Sequence, residues 1–271
     1  MKTAMYIDDL TAIDFSVYHG GEIRGDSVSL CVVVAGDRND SGMISDFGKI
    51  KPRLKAICDK EVDHRLVCDP QFITVQDGIG QGEFPVSAGV ISSMGPMQMY
   101  CPIAMTAEHY LDNIKSFLLE KFSAEMPMFD FQIELKPNPT PSFQYNHGLK
   151  LHDGNCQRII HGHSADLHVI IDGKPCVETH RLIVSSLNGK HFFNESDVMF
   201  DSGRSMIRYS ASQGNFEVQL PNALLELVEG EPSIENISRH IAKKVHALRP
   251  NATSIQVRVS EGLSKGAVTL L

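Results

Sequence analysis

No run in this 271-residue chain approaches the roughly 18 consecutive apolar residues that a membrane span needs. Positive charge is also scarce. A formal net charge of -8 weighs against nucleic acid and anionic membrane as partners, because both are polyanions. The amino terminus, MKTAMYIDDLTAIDF, reaches acidic residues too early to hold the apolar core of a signal peptide. A cytoplasmic location is therefore the expectation. Closely paired cysteines are missing too, so the six cysteines read as reduced thiols rather than a disulfide framework. Cys31 and Cys176, set in apolar strands, read as small core residues.

What the chain does have is repetition, a feature that decides the fold when present. DFSVYHG (residues 14–20) matches SFQYNHG (142–148), which sets His19 and His147 128 positions apart. MTAEHYLDNIKSFL (105–118) matches PSIENISRHIAKKV (232–245) at an offset of 127. Between these anchors IRGDSVSL matches IHGHSADL at 137, and the excess is one insertion, LKLHDGNCQ (149–157), confined to the second copy. Two homologous domains follow, 1–137 and 138–271, joined near the proline-rich KPNPTPS.

Each half is expected to run two strands, helix, helix, two strands: an α+β layer with helices on one face of an antiparallel sheet. In the first half Ile50, Leu54 and Ile57 make one helical face, and Pro52 suggests that this helix starts late. The helices beginning at Thr106 and Ser233 each offer a hydroxyl cap and an early glutamate. Residues 179–220 read as extra strands rather than as a matching first helix.

The second copy carries the chemistry. On a strand, residues i and i+2 share a face, so His161 and His163 aim both imidazoles at one point. His147, on the preceding strand, could supply a third nitrogen. Three histidines with an open fourth position are the arrangement of a catalytic zinc rather than a closed structural one. Cys156 lies in the insertion beside that centre, where a cation would lower its pKa. At the positions of His161 and His163 the first copy has Arg24 and Asp26, read as a simple surface salt bridge.

The ordered motifs FQYNH (143–147), CQRIIHGHS (156–164), GMISDFGKIK (42–51), VDHRL (62–66), MTAEH (105–109) and VRVSEG (257–262) span nearly the whole chain. Together they resemble the 6-pyruvoyltetrahydropterin synthase and 6-carboxytetrahydropterin synthase family, which implies two tandem tunnelling-fold (T-fold) domains. The resemblance implies Zn2+ held by His147, His161 and His163, Cys156 as general base, and an Asp63–His64 proton relay. It also implies Glu261 as the anchor of a pterin ring; Glu134, off strand parity by one, is the weaker second anchor.

The halves depart from the family in complementary ways. The first keeps Asp63–His64 but lacks two metal ligands and the cysteine; the second keeps those but lacks the Asp-His pair. The expectation is one composite site where the halves meet, with decay of both copies as the alternative. The implied activity is conversion of 7,8-dihydroneopterin triphosphate to 6-carboxytetrahydropterin on a queuosine-type pathway. The alternatives are 6-pyruvoyltetrahydropterin formation, or non-catalytic binding of zinc and pterin. The partner is then a small pterin, and the family's ring association implies a homo-oligomer.

Overall fold

A computed structural model describes residues 3–271. Strand β1 (Ala4–His19) turns at Gly20 and Gly21 into β2 (Glu22–Ala35), and the two pair antiparallel along most of their length. Helix α1 (Phe47–Glu61) follows. It begins before Pro52 rather than after it, because the Asp46 side chain caps it by accepting from the Gly48 amide at 2.7 Å. Its buried face is Ile50, Leu54 and Cys58, with Ile57 half-buried beside them. Then come β3 (Leu66–Cys68), β4 (Ile73–Gln76), β5 (Ile79–Val86), β6 (Gly89–Pro96) and β7 (Tyr100–Pro102). Helix α2 (Tyr110–Glu125) and β8 (Asp130–Pro137) close the first half.

Helix α2 starts four residues later than the sequence suggests. Thr106 does not cap it; the Asn113 carboxamide instead reaches back to accept from the Thr106 and Ala107 amides.

The second half opens with β9 (Phe143–His147), β10 (His161–Ala165), β11 (Leu167–Ile171) and the short β12 (Lys174–Pro175). Helix α3 (Val177–Leu187) lies where extra strands were expected, burying Thr179, Ile183 and Leu187 at helical spacing. Cys176 is the residue that precedes α3, half-buried, rather than a core residue of a strand. Strands β13 (Lys190–Asn194), β14 (Val198–Asp201), β15 (Arg204–Ala211), β16 (Gly214–Pro221) and β17 (Leu225–Val228) follow. Helix α4 (Ile234–Leu248), capped by Ser233, leads into β18 (Ile255–Ser260) and β19 (Gly266–Leu270). Hairpin, helix, short strand, three-stranded meander, short strand, helix and strand thus occur in that order in both halves. Among the described residues no helix is long and apolar enough to cross a membrane.

The result is a mixed α+β fold with few helices and mainly antiparallel sheets. One sheet has the order β7-β3-β1-β2-β8, with β3 parallel to both its neighbours. Two four-stranded sheets, β10-β9-β13-β17 and β12-β11-β18-β19, belong to the second half. The six-stranded sheet β14-β15-β16-β6-β5-β4 is shared, because β16 pairs with β6 across the halves. The first half buries its two helices on its five-stranded sheet and the second on its two four-stranded sheets, giving one core around Phe15, Leu54 and Phe122 and another around Phe192, Ile241 and Val257. A third core takes Tyr18, Phe84 and Tyr100 from the first half and Ile160, Phe193 and Phe216 from the second.

The hairpins of the two halves also stack on each other, and two glycines make that possible. A Cβ on Gly25 would lie 2.1 Å from the Tyr145 carbonyl oxygen and 2.4 Å from the His163 nitrogen. A Cβ on Gly162 would lie 2.5 Å from the Gly25 Cα. These are the middle residues of IRGDS and IHGHS, so the repeated segments cross at their glycines.

Candidate active site

Pairing of β9 with β10 sets His147 opposite His161 and Tyr145 opposite His163. All three histidines are buried, and their nearest ring nitrogens lie within 4.8 Å of one another. Hydrogen bonds fix two tautomers. His147 Nδ1 donates to the Pro232 carbonyl at 2.9 Å and His161 Nδ1 to the Arg158 carbonyl at 2.8 Å. Since a carbonyl only accepts, each Nδ1 carries the proton and each Nε2 presents a lone pair. His163 Nδ1 faces the Asp14 carboxylate at 3.3 Å, a charge contact rather than a well-aligned hydrogen bond.

One of these two lone pairs has no partner within the protein. His161 Nε2 is buried without a partner, and His163 Nε2 stands 3.0 Å from His147 Nε2. Burial first, and the neighbouring imidazoles second, push the pKa values of His147 and His161 well below the usual histidine value and keep them neutral. Three buried imidazoles, two with their outer nitrogen bonded to a carbonyl and the third facing the Asp14 carboxylate, form a set that fits a borderline-soft cation.

Asp14 was not singled out in the sequence. Burial alone would raise its pKa, but His163, Lys265 and the Ser27 hydroxyl prevail and hold it well below the usual carboxylate range. Ser27 Oγ donates to Asp14 at 2.6 Å, and Lys265 Nζ lies 3.3 Å from its other oxygen. Gly262 (φ +66°) passes so close that a Cβ there would lie 2.3 Å from Asp14 Oδ1.

Asp63 and His64, contributed by the turn after α1, reach the same place. Asp63 Oδ2 and His64 Nδ1 are 2.6 Å apart, and Asp63 Oδ1 accepts from the Asp14 amide at 2.9 Å. His64, Cys156 and His161 hold their donor atoms within 4.8 Å of one another, so residues of both halves of one chain converge here. Burial opposes charging of His64, but its hydrogen bonds to Asp63 and Cys156 and their negative charge overcome this, raising its pKa to about 10. The His64 backbone is left-handed (φ +55°), a conformation that costs about 1–3 kcal/mol outside glycine. Arg158 supports it from the other half: Nη1 donates to the Asp63 carbonyl at 3.1 Å, Nη2 to Asn155 Oδ1, and Nε to Gln213 Oε1.

Cys156 is half-buried in a short turn of the 149–157 insertion. That insertion is docked on both sides. Asn155 donates to the Asp59 carbonyl at the end of α1, and the buried Gln157 accepts from the Gln213 amide at 2.7 Å. Glu261 follows the last residue of β18, and its carboxylate lies 3.8 Å from Lys265 Nζ, the same ammonium that faces Asp14. Glu134 is not brought to this cluster: it stands exposed on edge strand β8, with Lys136 at 3.9 Å.

The corresponding place in the first half is filled. Asp26 is buried, not on the surface, and accepts a short hydrogen bond from Tyr110 Oη. The Arg24 guanidinium lies 4.8 Å over the Tyr110 ring, and no ion pair joins it to Asp26. The turn after α3 reads Leu187-Asn188-Gly189, with no acid–histidine pair.

The fold and the cluster define an α+β protein with a buried three-histidine centre beside a Cys-His-Asp set. Residues 139–270, the second half, match the family model described as 6-pyruvoyl tetrahydropterin synthase. No curated protein sequence matches the chain. Among solved structures it is similar to 6-pyruvoyltetrahydropterin synthase from Plasmodium vivax, at 9% identity and a TM-score of 0.24 over 100% of this chain and 98% of that one. The Plasmodium falciparum 6-pyruvoyl tetrahydropterin synthase gives 10% identity at the same TM-score and the same coverage. Similarity this low adds nothing to the geometry described above.

Proposed function

We propose that the chain is a zinc-dependent pterin-forming lyase acting on 7,8-dihydroneopterin triphosphate to give 6-carboxytetrahydropterin. In this reading two tandem T-fold domains, 1–137 and 138–271, build one composite site within a chain. The observation that carries it is the meeting of His64 from the first half with Cys156 and His161 from the second, donor atoms within 4.8 Å. His147, His161 and His163 would hold the zinc, which when bound supplies Lewis acidity toward an oxygen of the pterin side chain. Cys156 removes a proton from that side chain. His64, charged at neutral pH and oriented by Asp63, delivers one. Glu261 accepts hydrogen bonds from the N–H edge of the ring and so aligns the reacting carbons. Edge strands β8 and β19 leave open rims through which copies would associate into a ring.

Formation of 6-pyruvoyltetrahydropterin is the second reading, favoured by the description of the matched family. The test is incubation of zinc-loaded protein with 7,8-dihydroneopterin triphosphate, followed by assay of triphosphate and mass analysis of the pterin. Triphosphate release with loss of acetaldehyde supports the first product, and retention of the three-carbon side chain supports the second. Protein that binds zinc and pterin yet releases no triphosphate at high enzyme concentration would be a binder rather than a lyase.

A further inference from the structure

Six tyrosines occur in the chain, and five of them are explained without a ligand. Tyr6 is exposed. Tyr18 donates to the Pro85 carbonyl, Tyr100 to the Ser93 carbonyl, Tyr110 to Asp26 and Tyr209 to the Gln157 carbonyl. Tyr145 is the exception: it is fully buried, and its hydroxyl has no hydrogen-bond partner. A buried hydroxyl left unpaired is costly, so such groups are found where something else satisfies them.

The location of Tyr145 indicates what that something is. It precedes His147 by two residues on β9, so both side chains leave the same face of the strand, and its register partner is His163. Its ring centroid is 5.3 Å from that of His147 and 5.4 Å from that of His163. Burial first, and the Glu261 and Asp14 carboxylates of the cluster described above second, push its pKa well above the usual tyrosine value. The repeat supplies a comparison within the chain. Val17 occupies the equivalent place in the half without the histidine centre, so the hydroxyl is present only in the half that carries the three histidines.

We propose that Tyr145 is a ligand-contacting residue of this site, its hydroxyl donating a hydrogen bond to an acceptor atom of the pterin held between Glu261 and the three histidines. This rests on the pterin reading of the site. The hydroxyl would be satisfied only in the complex, which makes Tyr145 a determinant of ligand affinity rather than of folding. Tyr145 is not a metal ligand in this scheme, and its loss should leave the metal in place.

The test is Tyr145→Phe, which removes one oxygen and keeps the ring. Three quantities are read on zinc-loaded wild type and variant: metal content, the midpoint of thermal unfolding without ligand, and the Kd for 7,8-dihydroneopterin by calorimetry. The expected result is unchanged metal, an unchanged or higher unfolding midpoint, and binding weakened about tenfold, the effect of one hydrogen bond lost at a buried site. Equal Kd values for wild type and variant would overturn the proposal while leaving the pterin reading intact. A lower unfolding midpoint in the unliganded variant would also overturn it, because the hydroxyl would then have a partner in the folded protein. If wild type itself fails to bind the pterin, the pterin reading fails and this proposal with it.

Discussion

Gly25→Ala adds one methyl group where two hairpins cross, and its consequences can be worked from the contacts. The new Cβ would sit 2.1 Å from the Tyr145 carbonyl oxygen, 2.4 Å from the His163 nitrogen and 2.8 Å from the Gly162 carbonyl carbon. All three are backbone atoms of a paired hairpin, so no side chain can rotate away. Ordinary contact begins at 3.4 Å, and restoring it requires the hairpins to separate by more than 1 Å. Overpacking costs about 1–3 kcal/mol, and a clash against backbone belongs at the upper end. At 271 residues this lowers the unfolding midpoint by about 6–12 °C.

Gly21→Ala is the control. Its φ of +77° makes alanine unfavourable by about 1 kcal/mol, but nothing lies within 4 Å of the added atom. The crossing also carries functional contacts: the Ser164 amide donates to Ser27 Oγ at 3.2 Å, and His163 faces Asp14 at 3.3 Å. Gly25→Ala should therefore retain less zinc than Gly21→Ala after dialysis against a weak chelator. Calorimetry and metal analysis on both variants decide the matter. Equal midpoints and equal zinc would show that the glycine crossing is not what sets the approach of the halves.

Three further outcomes follow from the same geometry. His64→Ala and Cys156→Ala should each abolish triphosphate release, and mixing them under subunit exchange should restore nothing, since both residues serve one chain's site; recovered activity would place the site between chains. Arg158→Lys keeps the charge but loses the fork that holds the Asp63 carbonyl, Asn155 and Gln213, so kcat should fall about 10–100-fold with little change in KM; a kcat within twofold of wild type would remove Arg158 from the positioning of His64. Glu226→Gln, away from the site, should cost about 1–2 kcal/mol at neutral pH by weakening the hydrogen bond to His240 and the ion pair with Lys244. Burial raises the Glu226 pKa, but these two bonds outweigh it and hold the folded value below 4.5. The contribution is thus complete above that pH and is lost as pH falls through the folded value, so the stability gap between wild type and variant should close in acid. A gap independent of pH would refute the pairing.

The histidine centre was legible because strand parity is local: H-x-H on a strand needs no knowledge of the rest of the fold. The repeat was legible for a similar reason, as DFSVYHG and SFQYNHG keep their order whatever packs around them. Asp14, Arg158 and Lys265 were not, because each acts on residues far away in sequence. Arg158 is one polar residue among several in GNCQRIIHGH until its acceptors, the Asp63 carbonyl and Gln213, are known. Helix α3 was misread as strand since its short amphipathic pattern, burying Thr179, Ile183 and Leu187, sits among β-branched residues. Arg24 and Asp26 misled in the opposite direction. Adjacent opposite charges suggest a surface pair, whereas Tyr110, 84 residues beyond Asp26, separates their roles by bonding one and stacking under the other.

Those replacements explain how the first half, though without the three-histidine cluster, is bound to the second. The position of a third-histidine equivalent, His19, is retained, but Tyr110 closes the space beside it with a ring centroid 5.8 Å away. Sealed in this way, the first hairpin becomes a platform whose Gly25, Ser27 and Asp14 touch the second hairpin. The turn after α1 then projects His64 across the contact to Cys156 and His161. Asp14 links the two tasks, since its amide orients Asp63 while its carboxylate faces His163. A single residue of the platform therefore touches both the Asp63–His64 pair and the three-histidine cluster. Loss of either half would leave the other with a surface built for contact and an incomplete set of reacting groups.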